Sequence, residues 1–351
     1  MSDNQILFSN KPQINISCPS TGRMWIVCAC AFLCILQSSF SDGARSFVIA
    51  IVAIASALLT EFLLTWRANG AEKIKDGSAA ATALILSMML PNQIHPVYAA
   101  LGSVFSIIVI KYSFGGLGSN WLNPALGGWL FVRFSWPLSF ANAIDESSIS
   151  VSEMALTSDL SSADHSVTEF FNNYIFSFVD VQMPSGYIDL LFNNNPGIIT
   201  DRGLMMLLIG TIIITAIRIN RGWIPVVFLA VYGFLIRLAG DSSGVAWNGD
   251  MLYGFFSGGT IAAAFILAAE PSSSAKLMPG VIFSVVLAAV FSWFFRYKCM
   301  EFYGCFIALA LVNCFTPVLR LVEEKIFFSR NKQNSSKTNL NNNSGIRERV
   351  L

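Results

Sequence analysis

Charge is what this 351-residue chain has least of: Lys and Arg number 22 and Asp and Glu 21, together 12% of the sequence, against a hydrophobic fraction of 54%. A soluble domain carries about 25% charged residues, so the composition excludes that class and points to an integral membrane protein. A net charge of +1 leaves no basic face for nucleic acid, and no nucleic-acid motif is present. Histidine is nearly absent. His95 and His165 both fall in loops expected on the outer side, which argues against a haem held by a histidine pair across helices. The seven cysteines (Cys18, Cys28, Cys30, Cys34, Cys299, Cys305 and Cys314) show no zinc or cluster spacing and lie mostly inside apolar runs. Cys28 and Cys30 stand about 200° apart around a helix, so their thiols diverge and read as small apolar filler rather than a metal or redox pair. No NAD fingerprint occurs. Residues 1–23 are polar and lead into the first apolar run without a small-residue cleavage site, so no cleavable signal is expected.

What the chain has is apolar length. A hydrocarbon core of about 30 Å takes about 20 residues of helix. On that ruler ten stretches stand out, near 24–40, 46–66, 77–91, 96–112, 124–140, 203–218, 223–239, 251–269, 278–295 and 302–321. One unusual element occurs twice. A helix too short to cross easily opens on glycine and ends at proline, first over residues 77–91 (GSAAATALILSMMLP) and again, 180 positions later, over 257–271 (SGGTIAAAFILAAEP). Membrane proteins built from two related halves commonly place their site between such short or broken helices. The expectation is an all-α polytopic membrane protein of about ten transmembrane helices in two pseudo-symmetric halves.

Basic residues orient the spans. Lys11 and Arg23, then Arg67, Lys73 and Lys75, Lys111, Arg218 and Arg221, and Lys325, Arg330 and Lys332 fall on one side of a ten-span chain. The positive-inside rule makes that side cytoplasmic, with both termini there. Arg296 and Lys298 break the pattern on the outer side, opposed only by Glu301. The chain then divides into a cytoplasmic segment 1–23, a first transmembrane half 24–140, an outer loop 141–202, a second transmembrane half 203–321 and an Asn/Ser/Lys-rich tail 322–351, expected to be largely disordered. The loop carries no Lys or Arg between Phe134 and Thr200 but eight acidic residues, and its length exceeds what a passive connection needs. Charges inside the spans are Glu61, Arg133 and Arg237. Snorkelling to the interface is the expectation for all three, with a part in ion coupling as the alternative for Glu61.

Between the fourth and fifth spans the chain reads FGGLGSNWLNPALGG from Phe114 to Gly128. This string resembles the D subunit of the Rnf electron-transport complex, whose close relative is the B subunit of the sodium-translocating NADH:quinone oxidoreductase. Other segments match in order: Ser20-Thr-Gly-Arg-Met24, Asp76 to Pro91, Pro196 to Gly203, and Ser257 to Thr260 with Glu270-Pro271. The resemblance runs from about residue 8 to 325. It implies a fold related to urea transporters, placement in the bacterial inner membrane, and a part in flavin-mediated electron transfer. It also implies FMN joined through its phosphate to a threonine of the outer loop by a flavin transferase. The family's Ser-x-Ala-Thr-Pro-Leu is missing. The pattern Ala155-Leu-Thr157-Ser-Asp-Leu160 comes closest and offers Thr157 as acceptor, while counting back from Asp164-His-Ser-Val167 offers Ser152.

A flavin ring needs a flat apolar slot with backbone donors at its polar edge, and glycine-rich helix starts supply free N–H groups and close backbone approach. Two places fit: Gly77, Ser78 and Thr82, and Ser257, Gly258, Gly259 and Thr260. Close helix packing uses the same small residues. Asn123 either satisfies free backbone groups or lines a passage. The favoured reading is a flavin-carrying subunit (FMN, with riboflavin as a second flavin) of an Rnf-type translocase that moves Na+ or H+. It passes electrons between soluble iron–sulfur or NADH-linked subunits and an outer-face flavoprotein and is not a complete enzyme. A small-solute channel or transporter of urea-transporter-like fold, and a scaffold subunit without flavin, are the alternatives.

Overall fold

The structure is a computed structural model describing residues 20–66, 74–113, 120–141, 162–174, 186–191, 197–239 and 249–347. Each of the ten apolar stretches contains helix. In chain order these are α1 (Ser20–Asp42), α2 (Arg45–Thr65), α3 (Ser78–Met88), α4 (Pro96–Phe105, running on as a π-helical turn over Ser106–Tyr112) and α5 (Pro124–Ser135). Three short helices follow, α6 (Ser162–Tyr174), α7 (Tyr187–Leu191) and α8 (Ile199–Arg202). The chain continues through α9 (Leu204–Ala216), α10 (Trp223–Ala239), α11 (Met251–Phe256) and α12 (Thr260–Ala262, with a π turn over Ala263–Leu267). It closes with α13 (Met278–Tyr297) and α14 (Gly304–Arg347). No strand occurs among the described residues; a single antiparallel bridge joins Pro91 to Ile198.

Four helices, Thr21–Phe40, Arg45–Thr65, Met278–Tyr297 and Gly304–Lys325, are long and apolar enough to cross a membrane alone. Their outward faces carry side chains that water would not tolerate in such density, among them Leu59, Leu63, Phe283 and Val318, each more than half exposed. Their inward faces are small. On α2 the buried positions are Ser46, Ile49, Ala50, Ala53, Ala57, Thr60, Glu61 and Thr65, a helical stripe that lets backbones approach as helices in lipid require. Gly102 of α4 and Gly128 of α5 show how close: a methyl on Gly128 would run into the Ser106 hydroxyl and the Gly102 carbonyl.

Both short helices sit in the middle of this packing, and each opens on glycine in left-handed backbone that other residues adopt only with strain. Gly77 has φ 74°, and Gly258 and Gly259 have φ 67° and 68°. The two helices point opposite ways. We call the face where α1 begins the near face. There α3 starts, beside Trp25, whose indole nitrogen donates to the Lys75 carbonyl at 3.2 Å. The α3 C-terminus reaches the far face. Its last carbonyls would be orphaned there, and the start of the second half caps them. The Ile199 amide donates to Leu90 at 3.0 Å, the Thr200 hydroxyl to Met88 at 2.7 Å, and the Trp129 indole to Met89 at 2.9 Å. The helix leading into the second half thus begins at Ile199, within the segment assigned from sequence to the outer loop.

Candidate functional site

The near-face entrance of α3 is a chain of charged and polar groups, in which Glu61, Lys111 and Ser78 are buried and Asp76 is half-buried. Asp76 accepts from the Ser78 amide at 2.8 Å and the Ser78 hydroxyl at 2.7 Å, and so caps the helix. Lys111, delivered by the π turn of α4, donates to the Ser78 hydroxyl and to Glu61, each at 2.6 Å. The Tyr112 hydroxyl donates to the same Glu61 oxygen at 2.9 Å. The Lys111 and Glu61 side chains are only 3% and 1% exposed, which decides their role. Glu61 does not snorkel; it forms a buried ion pair with a lysine 50 positions away. The other two intramembrane charges are less enclosed: Arg133 is half-buried and Arg237 exposed. Arg133 grips Glu301 at 2.9 Å, and Arg237 donates to the Gly249 carbonyl at 3.2 Å.

Beside this cluster lies a cavity of about 200 Å³ between the two halves. Met24, Val27, Ala81, Ile85, Ile214 and Ile266 make its apolar walls, while Ser78, Thr82, Lys111, Asn120, Asn123 and Glu270 bring polar groups to it. Asn123 takes the backbone-capping role open to it from sequence and also borders this cavity. Its Oδ1 caps α5 by accepting from the Ala125 and Leu126 amides at 2.9 and 3.2 Å, and Asn123 also faces the cavity. Its Nδ2 donates to one Glu270 oxygen, and the Ser272 hydroxyl donates to the other. The end of α12 is therefore tied to the start of α5 across the cavity. The loop behind is held by α14: Arg320 donates to the Ser272 carbonyl at 2.6 Å, and Glu323 accepts from the amides of Lys276 and Leu277 at 3.0 Å each.

The far-face entrance of α12 is built around another buried cation. Arg296 donates to the Ser257 hydroxyl at 2.6 Å, the Ser257 carbonyl at 3.0 Å and the Gly254 carbonyl at 3.2 Å. The Phe302 ring lies 4.7 Å from the guanidinium. Asp201 accepts from the Gly259 amide at 2.8 Å, the counterpart of Asp76 at α3. This corrects the sequence expectation that only Glu301 opposes Arg296: Arg296 is in the last turn of α13 and 7% exposed, and Glu301 pairs with Arg133.

Ser78 and Thr82 thus face a cavity, and Gly77 sets the helix start beside it. Ser257, Gly258 and Thr260 gather round Arg296, and Gly259 packs against Phe306 with its amide on Asp201. Sequence reasoning missed Lys111, Glu270 and Arg296 as site residues. Thr157 and Ser152 lie outside the described residues. The six described cysteines are free, Cys28 and Cys30 turning to the carbonyls of Gly77 and Gly210 on different helices, and the described residues hold no group of His, Cys, Asp and Glu suited to a metal ion.

With this arrangement in view, the whole span from residue 7 to 328 matches the family described as NQR2, RnfD, RnfE. The chain belongs to that family. It is similar to the D subunit of the proton-translocating ferredoxin:NAD(+) oxidoreductase complex of Clostridium ljungdahlii, 25% identical over 325 residues covering 93% of this chain and 96% of that one. The Na(+)-translocating counterpart of Acetobacterium woodii is 24% identical with the same coverage. The D subunit of the ion-translocating oxidoreductase complex of Alcanivorax borkumensis is 28% identical over 75% of this chain and 79% of its own. Family and apolar helices together make this member of the NQR2, RnfD, RnfE family a multi-pass membrane protein.

Proposed function

We propose that this chain is a flavin-carrying membrane subunit of an Rnf-type ion-translocating electron-transport complex. The observation that carries the reading is the near-face cavity. Apolar walls suit a flavin ring, and Asn120, Asn123 and Glu270 offer donors and acceptors to its polar edge. A bound flavin supplies the redox chemistry; the residues of this chain bind it, orient it and keep water from it. Asn123 and Glu270, locked to each other, fix one side of the slot, and the Lys111–Glu61 pair puts a compensated charge at its floor. Iron–sulfur and flavoprotein subunits are the partners that bring and remove electrons. The relatives name protons in one case and sodium ions in another, and the coupling ion of this chain is one of these two. Arg23, Lys75, Arg218, Arg221, Lys276 and Arg320 collect on the near face, which supports a cytoplasmic near face and cytoplasmic termini; ten crossings of the bacterial inner membrane in a urea-transporter-like fold are part of the same proposal.

Covalent FMN on Thr157 or Ser152 of the outer loop completes the reading. The test is flavin fluorescence of this chain in a denaturing gel after co-expression with its complex partners and a flavin transferase, alongside Thr157→Val and Ser152→Ala. Flavin released by acid precipitation of the native complex is measured in parallel. A fluorescent band that vanishes in one variant identifies the acceptor, and released flavin beyond the partners' own content identifies the cavity ligand. No band and no released flavin would overturn the reading in favour of a scaffold or a solute transporter.

A further inference from the structure

A small cavity of about 20 Å³ lies behind the turn that follows Glu270, between that turn and the paired helices α13 and α14. None of its lining residues borders the larger near-face cavity. Four of them bring side-chain oxygens: Ser273 from the turn, Ser284 from α13, and Asn313 and Thr316 from α14. All four are buried; Ser273 is 2% and Asn313 8% exposed. The walls are otherwise apolar, with Ala268, Val285 and Leu309 among them, and no Lys, Arg, Asp or Glu lines the space.

One face of α14 serves this turn. Asn313, Thr316, Arg320 and Glu323 follow one another at three, four and three residues, so they lie along a single stripe of the helix. Arg320 and Glu323 bond the turn directly. Arg320 donates to the Ser272 and Ser274 carbonyls at 2.6 and 2.9 Å, and Glu323 accepts from the Lys276 and Leu277 amides. Asn313 stops short. Its side-chain amide makes no hydrogen bond to any described residue, and neither does the Ser273 hydroxyl. Pro317 adds to the deficit, because it has no N–H for the Asn313 carbonyl. Ser284 and Thr316 are half spent. Their hydroxyls donate to the carbonyls of Val281 and Val312 in their own helices, at 2.9 and 3.3 Å, which leaves oxygen lone pairs free to accept.

Two side-chain donors and two acceptors therefore face one space. A water molecule takes about 10–15 Å³ of such space and two to four polar partners. We propose that Ser273, Ser284, Asn313 and Thr316 bind a single water molecule, which joins the turn after Glu270 to α13 and α14. The water accepts from the Asn313 amide and the Ser273 hydroxyl and donates to the Ser284 and Thr316 oxygens, so all four of its hydrogen bonds are made. A dehydrated cation fits less well, since no carboxylate lines the space and Arg320 stands at the adjoining turn. The turn held in this way is the one that brings Glu270 to Asn123.

The experiment is electron cryomicroscopy of the protein in its native complex, at a resolution that shows ordered water, in sodium and in potassium buffer. The expected result is one density peak in both buffers, about 2.6–3.2 Å from polar atoms of at least three of the four residues. An absent peak overturns the proposal. A peak seen in sodium alone marks a cation and overturns it too. Thermal unfolding of the same complex supplies a second readout. Ser273→Ala and Asn313→Leu should each lower the unfolding temperature by a few degrees. The double variant should fall no further than Asn313→Leu alone, because the leucine takes the place of the water and already leaves the Ser273 hydroxyl without a partner. Losses that add in full would mean that the two side chains share no partner, and the proposal falls.

Discussion

The entrances of α3 and α12 use one backbone device for two electrostatic solutions. Each begins at left-handed glycine, each has an aspartate accepting from a backbone amide at the entrance, and each receives a buried cation from the helix that packs behind it. At α3 the cation is Lys111, neutralised by Glu61, and a cavity lies alongside. At α12 the cation is Arg296, held by two carbonyls, a hydroxyl and an aromatic face. The Glu61 and Ser78 oxygens that Lys111 meets are carried on side chains, which can turn with little rearrangement of the backbone. An arginine whose fork is spread over two backbone turns has no such freedom, because moving it strands several acceptors at once. The difference makes the far-face entrance the more rigid of the two.

Six substitutions break or sharpen this contrast. The largest effect is expected for Arg296→Met, which strands the Ser257 and Gly254 carbonyls and leaves Asp201 without its nearby cation; we expect a loss on the order of 5 kcal/mol, or no folded protein, by thermal unfolding in detergent. If Lys111→Met unfolds the chain as readily, the two entrances are not different in kind. Next come Glu61→Gln and Lys111→Met, each costing about 3–5 kcal/mol by leaving a buried charge unpaired. The double substitution should recover most of that loss, and a double-mutant cycle showing simple additivity would refute the pair.

Glycine substitutions are expected to be smaller. Both Gly77→Ala and Gly259→Ala force a methyl-bearing residue into left-handed backbone, about 1–2 kcal/mol each. Gly259 also has Phe306 in the way, whereas the atoms nearest a methyl on Gly77 are the Trp25 indole at 3.1 Å. Gly259→Ala should therefore lower the unfolding temperature further than Gly77→Ala; the reverse order would mean that the near-face entrance is the rigid one. The smallest effect belongs to Glu301→Gln. Its pair with Arg133 is partly open to solvent at 15% and 24% exposure, and loss of the pair is expected to cost about 0.2–1 kcal/mol, diminishing in salt.

Much of the site was within reach of the sequence. Glu61 lies at the span edge, where a charge reads equally as a snorkelling residue. Yet it follows Ala50, Ala53 and Ala57 on one stripe of α2, the stripe that small residues mark as facing other helices. Arg296 continues the stripe Ser284, Ala288 and Ser292 on α13 in the same way. Lys111 follows Gly102, Ser103, Ser106 and Ile107, with the π turn rotating it further inward. A charge at the end of a small-residue stripe points to a helix neighbour rather than to the interface, and that rule would have found all three. Glu270 had a weaker signal, its place before the proline that ends the short helix.

The sequence by itself determined roughly where the main apolar helices fall, which two are short, and the family to which the chain belongs. These depend on local quantities: apolar length, glycine at left-handed positions, proline at a stop, and a string around Asn120 and Asn123. Only the tertiary structure decided which charges meet. Lys111 finds Glu61 across 50 positions and Arg296 finds Ser257 across 39, and the cavity exists because the end of α12 comes to rest against Asn123, 147 positions away. In a membrane an unpaired charge or backbone group is too costly to leave, so a partner must exist. Which partner it is follows from how the helices rotate and pack.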